Sequence, residues 1–231
     1  MADINDIISV FDEVADYLRF ASDAGFKGFD CDKASLDTID TWGKSRVNVP
    51  ETLEGIRHDL GDCRRCKLCE ERHHIVFGAG APNARLVFVG EAPGAEEDAS
   101  GEPFEGADGQ LLTKIIRAIN MTRDQVYLCN IIKCRPPQNR HPEPEEIRTC
   151  ISFLKRQLTA IRPEFICALG TGAARALLST TAPIPELRGR FHDYQGIKVM
   201  PTYHPAYLLR HSEKKRDVWE DMKLLMKAME P

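Results

Sequence analysis

Four cysteines constrain this chain more than any other feature. Cys63 and Cys66 form a Cys-x2-Cys pair, and Cys134 and Cys150 follow singly. Thiolates drawn from distant parts of a 231-residue chain point to a bound metal centre rather than to four idle thiols. Whatever the fold, it has to bring those four positions together. Eight cysteines, and a start (Met-Ala-Asp-Ile-Asn-Asp) without a basic or apolar leader, suggest a reducing compartment, so the expected location is cytoplasmic. No run of 18 apolar residues occurs, so no membrane partner is expected.

Iron–sulfur clusters and tetrahedral zinc both accept four thiolates. A zinc ribbon would show two Cys-x2-Cys knuckles. Here single ligands sit at a strand end and a helix start, which favours a cubane cluster. Cys69 forms a second Cys-x2-Cys with Cys66 and rivals Cys63 or Cys66 as a ligand. Cys31, Cys129 and Cys167 read as free thiols, the last two as small hydrophobes within apolar strands.

Residues 4–25 carry Ile7, Ile8, Phe11, Val14 and Leu18 at helical spacing, and residues 26–50 read as a linker. Beyond them, strands are expected at 84–90, 126–133, 164–170 and 197–203. Helices are expected at 109–120, 143–161, 171–179 and 216–229. The second of these helices opens with Pro142 and Pro144 and places Glu143, Glu145 and Glu146 where the helix dipole favours acids. Such alternation implies an α/β fold with a parallel sheet covered on both faces. In open α/β sheets, sites gather at the carboxyl ends of the strands, and Glu91–Gly94, Asn130 and His204 all fall there.

Net charge is −4, but it is unevenly placed. Residues 1–62 hold 14 acids and 6 bases, so the remainder is about +4, and 184–216 has seven Lys/Arg against three acids. That basic stretch is a plausible phosphate-facing surface.

The loop Gly90-Glu-Ala-Pro-Gly94 can bring backbone N–H groups close to a ligand. No G-x-x-x-x-G-K-[ST] loop occurs, which leaves nucleotide hydrolysis without support. The run Glu96-Glu97-Asp98 reads as a solvated loop rather than a divalent-ion site. In His204-Pro-Ala-Tyr-Leu-Leu-Arg210, a strand-end histidine can donate to developing negative charge. Leu208 and Leu209, followed by Arg210 and His211, could form an apolar wedge flanked by cations; the competing reading is a helical turn with buried leucines.

Seven pieces, in this order and spacing, resemble the family 4 (iron–sulfur) uracil-DNA glycosylases. They are Cys63-Arg-Arg-Cys66, Val76-Phe-Gly78, Gly90-Glu-Ala-Pro-Gly94, Gly101-Glu-Pro-Phe104, Asn130-Ile-Ile-Lys-Cys-Arg-Pro-Pro-Gln-Asn-Arg140, Leu187-Arg-Gly189 and His204-Pro-Ala-Tyr207. The resemblance runs from Cys63 to about Leu225. It implies a three-layer sandwich with a central, mainly parallel four-stranded sheet flanked by helices. The expected organisation is an acidic helical extension and linker at 1–55, then a catalytic domain at 56–231.

The resemblance also implies a 4Fe–4S cluster on Cys63, Cys66, Cys134 and Cys150. The implied activity is release of uracil from single- or double-stranded DNA by hydrolysis of the N-glycosidic bond, by a monomer. Gly90, Ala92 and Gly94 would line the substrate, Phe104 would stack on the extruded base, and Asn130 would pair with O4 and N3–H. Cytosine reverses that donor and acceptor pattern. His204 would stabilise the departing uracil at O2, Leu208 would fill the vacated stack, and Arg135, Arg140 and Arg210 would meet DNA. The cluster would clamp its neighbouring segments rather than carry electrons.

Two departures matter. Superfamily members that carry an Asp two residues after the first Gly of the loop use it to place water, and here that residue is Ala92. Glu91 is then the candidate carboxylate, either acting on water or orienting the loop. A branch that bonds covalently to DNA does so through a histidine in a Lys-Arg-Arg-Ile-His insertion, which is absent after Asn130; His141 stands before Pro142 in another setting. Hydrolysis is therefore the chemistry carried over. The rival classes are a non-catalytic DNA-binding module, which Ala92 keeps open, and a redox protein built on the cluster.

Overall fold

The computed structural model describes residues 51–230. The helix and linker expected within residues 1–50 lie outside the described residues.

Four apolar runs form the parallel heart of one sheet: β2 (Leu86–Gly90), β3 (Tyr127–Asn130), β4 (Phe165–Leu169) and β6 (Ile197–Thr202). Two short antiparallel strands, β1 (Ala79–Gly80) and β5 (His192–Tyr194), close the edges, giving the order β1-β3-β2-β4-β6-β5. These edge strands are the difference from the four-stranded expectation. They are too short to carry a period-2 pattern. Strands β2, β3 and β4 are buried throughout, as continuous apolar runs in a doubly covered sheet must be.

Eight α-helices accompany the sheet among the described residues. They are α1 (Leu53–Leu60), α2 (Ala95–Ser100), α3 (Gly106–Ala118), α4 (Pro144–Ile161), α5 (Gly170–Leu178), α6 (Ile184–Leu187), α7 (Pro205–Arg210) and α8 (Lys215–Met229). Helix α4 begins with Pro144 at its first turn, where the missing N–H loses nothing. The Glu143 backbone N–H donates to Glu146 Oε2 at 2.7 Å and closes that end. Helix α1 packs its Ile56 and Leu60 with Phe77 and Phe153 in a small second core. Burying each aliphatic side chain contributes about 1.5–3 kcal/mol as an upper figure.

The acidic run at 96–98 is not a solvated loop. It lies in α2 with Glu97 and Asp98 buried. Glu97 accepts the Gly94 N–H at 2.8 Å, and Asp98 accepts the His73 N–H at 2.9 Å and faces His73 Nδ1 at 2.7 Å. Specific donors turn the acids inward, including one 25 residues away.

The order of the parallel strands (β3-β2-β4-β6) places the topological switch between β2 and β4. In open α/β sheets the binding crevice lies at such a point, beyond the carboxyl ends of the strands. Everything described next gathers along that edge.

Candidate active site and thiol centre

Gly90 and Asn130 are register partners at the ends of β2 and β3. The Asn130 side chain lies across the Gly90 backbone so closely that a Cβ at Gly90 would collide with Asn130 Oδ1 and stand 2.9 Å from Phe104 Cζ. Asn130 Oδ1 is buried and has no hydrogen-bond partner among the described residues. Phe104 is 3% exposed and holds φ +55°, a left-handed conformation uncommon for a bulky residue. Arg123 secures that turn by donating to Phe104 O at 3.2 Å and Pro103 O at 2.8 Å. Strain held by such contacts is typical of binding sites.

His204 caps α7, and its Nδ1 accepts the Ala206 N–H at 3.1 Å. The neutral ring therefore carries its proton on Nε2, free to donate. Burial pushes the imidazole below its ordinary range, against the opposing pull of Asp108 and Glu91. Its ring stands 6.1 Å from that of Phe104, centroid to centroid. Gly170, with φ +86°, lets α5 start beside it; a Cβ there would lie 3.1 Å from His204 Cβ.

Glu91 follows β2, with its carbonyl accepting the Ile132 N–H at 3.2 Å. Its carboxylate lies on Gly172 near the start of α5, where a Cβ would collide with it. His141 Nδ1 faces both carboxylate oxygens, at 3.1 and 3.2 Å. Ala92 is half-buried against the core and offers no polar group; Gly94 begins α2 as its N-cap.

The structure thus brings Gly90, Glu91, Phe104, Asn130 and His204 to one edge. It places three other expectations differently. Leu208, read as the wedge, is 1% exposed because it lies on the inward face of α7 in the main core; the apolar side chain at the surface is Leu209, 50% exposed. Arg140 is held by Glu146, donating at 2.7 and 2.9 Å, so its guanidinium is committed to the start of α4. That pairing draws the Glu146 carboxyl below its usual range. Arg135 donates to Asn139 Oδ1 at 2.7 Å, while Arg210 is exposed on α7.

The four thiols also gather. Cys150 feels the charges of Cys66 and Cys63, and Cys134 those of Cys150 and Cys66. Two of the sulfurs receive a guanidinium donor. Arg65 Nη1 donates to Cys63 and Arg72 Nη1 to Cys134, both at 3.5 Å. Arg72 is 6% exposed in its side chain and also donates to Cys63 O at 2.7 Å and Asp62 Oδ1 at 2.6 Å. Burial pushes the Cys134 thiol up to about 12, with Arg72 opposing. Among the described residues no three His, Cys, Asp or Glu side chains converge tightly enough for a single metal ion.

Four contributors were not singled out from sequence: His141, Gly172, Arg72 and Lys133. His141 meets Glu91 across 50 residues, for which no local signature exists. Gly172 had one weak signal, a second glycine two residues after Gly170 at a strand–helix junction.

Comparison with known proteins gives a consistent answer. The family model described as the uracil DNA glycosylase superfamily matches residues 77–223. The type-4 uracil-DNA glycosylase of Archaeoglobus fulgidus is 40% identical over 181 residues, spanning 75% of this chain and 91% of its own. That of Thermotoga maritima is 43% identical over 176 residues, 74% of this chain and 92% of its own. That of Sulfurisphaera tokodaii is 41% identical over 182 residues, 75% and 83% respectively. On these matches, over the segment that carries the crevice, the chain belongs to the uracil-DNA glycosylase superfamily, in its type-4 group.

Proposed function

We propose that this chain excises uracil from single- and double-stranded DNA by hydrolysing the N-glycosidic bond, leaving an abasic site for base excision repair. The observation that carries the reading is Asn130 Oδ1, a buried acceptor beside Phe104 and Gly90 without a partner among the described residues. Leaving such a group unpaired costs about 1–3 kcal/mol, which uracil N3–H would relieve. The Asn130 amide N–H would then donate to O4. Cytosine cannot satisfy the same arrangement, and a mispaired buried amide is a strong discriminator.

Flipping the nucleotide out of the stack costs roughly a few kcal/mol, less at a mismatch. Leu209 and Arg210, exposed side by side on α7, are placed to fill the gap and meet phosphate. Phe104 stacks on the extruded base. Bond cleavage leaves positive charge on the sugar and negative charge on uracil. His204 Nε2–H, preorganised and neutral, stabilises the anion at O2. Glu91, fixed by His141 and seated on Gly172, is the carboxylate that places water; Ala92 contributes only shape. Arg135 contacts DNA phosphate, whereas Arg140 acts through Glu146 by ordering the loop before α4.

Cys63, Cys66, Cys134 and Cys150 would hold a 4Fe–4S cluster. Guanidinium donors on the Cys63 and Cys134 sulfurs suit thiolate ligands, and single ligands at a strand end and within a helix suit a cubane better than a zinc ribbon. No such donor reaches the Cys69 sulfur among the described residues. When bound, the cluster supplies a rigid cross-link between the Cys63 segment, the loop at Cys134 and helix α4; hydrolysis moves no electrons.

The acidic residues 1–55 are an accessory extension to a catalytic domain of residues 56–231. A monomer suffices for a lesion without two-fold symmetry, and the thiol usage fits the cytoplasm. No helix of the described residues is long and apolar enough to cross a membrane.

Uracil release from single-stranded and U·G duplex oligonucleotides tests the reading, with Asn130→Ala and His204→Ala alongside. Turnover by the cluster-loaded wild type, lost in both variants while the brown cluster absorbance persists, is the expected result. No release by loaded wild type would reject it in favour of a binding module.

A further inference from the structure

Arg123 lies in the connection between α3, which ends at Ala118, and β3, which starts at Tyr127. Its half-buried side chain turns back onto the Phe104 turn. Nη2 donates to Pro103 O at 2.8 Å, and Nη1 donates to Phe104 O at 3.2 Å and to Thr113 Oγ1 at 3.3 Å. Thr113 Oγ1 in turn donates to Gly109 O at 2.9 Å.

The two carbonyls in this grip flank the Cα of Phe104. In an extended chain successive carbonyls point to opposite sides, so one guanidinium holds both only while Phe104 is turned. The turn is left-handed, at φ +55°, which is unfavourable for a bulky side chain and persists only where neighbours enforce it. A planar fork suits that task, whereas an ammonium is a single point donor. The rest of the turn is shaped around the grip. A Cβ at Gly109 would collide with Phe104 O, and Gly106, at φ +74°, lies against the Glu96 carboxylate.

The ring so placed faces the other recognition groups. It stands 6.1 Å from the His204 ring, and a Cβ at Gly90 would lie 2.9 Å from Phe104 Cζ and collide with Asn130 Oδ1. Asn130 ends β3 and Arg123 lies just ahead of that strand, so one segment carries both the reading amide and the anchor of the stacking ring.

We propose that Arg123 is a positioning residue for base selection: by gripping Pro103 O and Phe104 O it holds the Phe104 ring where the extruded uracil stacks beside Asn130. This deepens the glycosylase reading and rests on it.

The iron-loaded full chain carries the test. Arg123→Met keeps the apolar stem and loses the fork, and Arg123→Lys keeps the charge on one point donor. On a single-stranded uracil oligonucleotide, Arg123→Met should lose about ten- to a hundredfold in kcat, the scale of misplacing a group by up to about 1 Å. KM for the oligonucleotide should stay within about twofold, because the guanidinium is engaged inside the turn. Inhibition by free uracil should weaken about fivefold or more, the scale of one base–aromatic stack. Arg123→Lys should fall between, at about a threefold loss in kcat.

An arginine with a merely structural role would lower activity whatever ring it supports. The Phe104→Ala background separates the two roles. There Arg123→Met should cost less than about a further twofold, since no ring remains to be positioned. Losses that multiply would overturn the proposal, as would wild-type kcat and wild-type uracil inhibition in a folded Arg123→Met chain. Should Arg123→Met fail to fold, Arg123→Lys takes its place in the same cycle and the same outcomes decide.

If wild type releases no uracil, the glycosylase reading fails by itself. Hydrogen exchange then judges the grip: residues 104–109 should exchange about tenfold faster in the variant while strand 165–169 keeps its protection. Unchanged exchange at 104–109 would reject the grip.

Discussion

The carboxylate of Glu91 faces Nδ1 of His141 at 3.1 Å while resting on the backbone of Gly172. Three segments far apart in sequence therefore fix one acid at the switch between β2 and β4. A carboxylate so held can orient a water molecule without the Asp that Ala92 replaces. Glu91→Gln should lower single-turnover uracil release by about 10²–10⁴, the usual range for a lost acid–base group. Gly172→Ala should also impair turnover, since the new methyl collides with the carboxylate, while DNA binding stays near wild type. Full activity in Glu91→Gln would reduce Glu91 to a loop-orienting role.

The second prediction concerns pH. Burial holds the His204 imidazole below its ordinary range, and Asp108 and Glu91 oppose that shift only in part. The unfolded chain takes up this proton near pH 6.5, whereas the folded chain resists it until lower pH. Stability from this group is therefore fully present above about pH 6.5 and declines as pH falls towards the folded value. Excision should likewise persist through about pH 6.5, because the neutral Nε2–H donor remains the main form. A kcat that is highest at acid pH and falls as pH rises through about 6.5 would require an imidazolium and refute the neutral donor.

Adjacent leucines on α7 should separate cleanly. Leu209→Ala removes an exposed side chain, so melting should be unchanged, and excision from U·G duplex should fall more than from single strands, which have no stack to refill. Leu208→Ala opens a cavity in the main core and should destabilise by about 2–5 kcal/mol without favouring either substrate. Equal losses on both substrates for Leu209→Ala would remove it as the wedge.

Much of the fold was legible because its signals are local. The four parallel strands are apolar runs, and α3, α4, α5 and α8 show apolar positions at helical spacing, within a few residues of where the structure ends them. The loop glycines, Asn130 and His204 were legible because strand ends attract sites. What escaped depends on partners remote in sequence. Asp98 is buried because His73 bonds it, Arg140 is committed to Glu146, and Leu208 rather than Leu209 faces the core through the phase of a six-residue helix. Lys133 sits at the end of an apolar strand, where a lysine ordinarily marks the surface. Its burial becomes intelligible only once the Asn130 carbonyl is seen to accept from its Nζ.

The loop Leu187–Gly189 belongs to the matched motifs yet touches none of the proposed substrate groups, and its role is structural. Arg188 donates to both oxygens of the fully buried Asp221, at 2.8 and 3.0 Å, and Thr202 Oγ1 donates to the same carboxylate at 2.6 Å. Thr202 lies two residues before His204, so this network anchors the end of β6 to α8 just before that histidine. Removing one partner of a buried pair leaves the other uncompensated, and Asp221→Ala should cost about 3–5 kcal/mol, or roughly 10 °C in melting temperature. Replacing both by apolar residues, as in Arg188→Met with Asp221→Leu, should recover much of that loss, because neither charge is then stranded. Chemical melts of the single and double variants measure the coupling directly. Additive losses would show that Arg188 and Asp221 stabilise the chain independently and that β6 is anchored by other means.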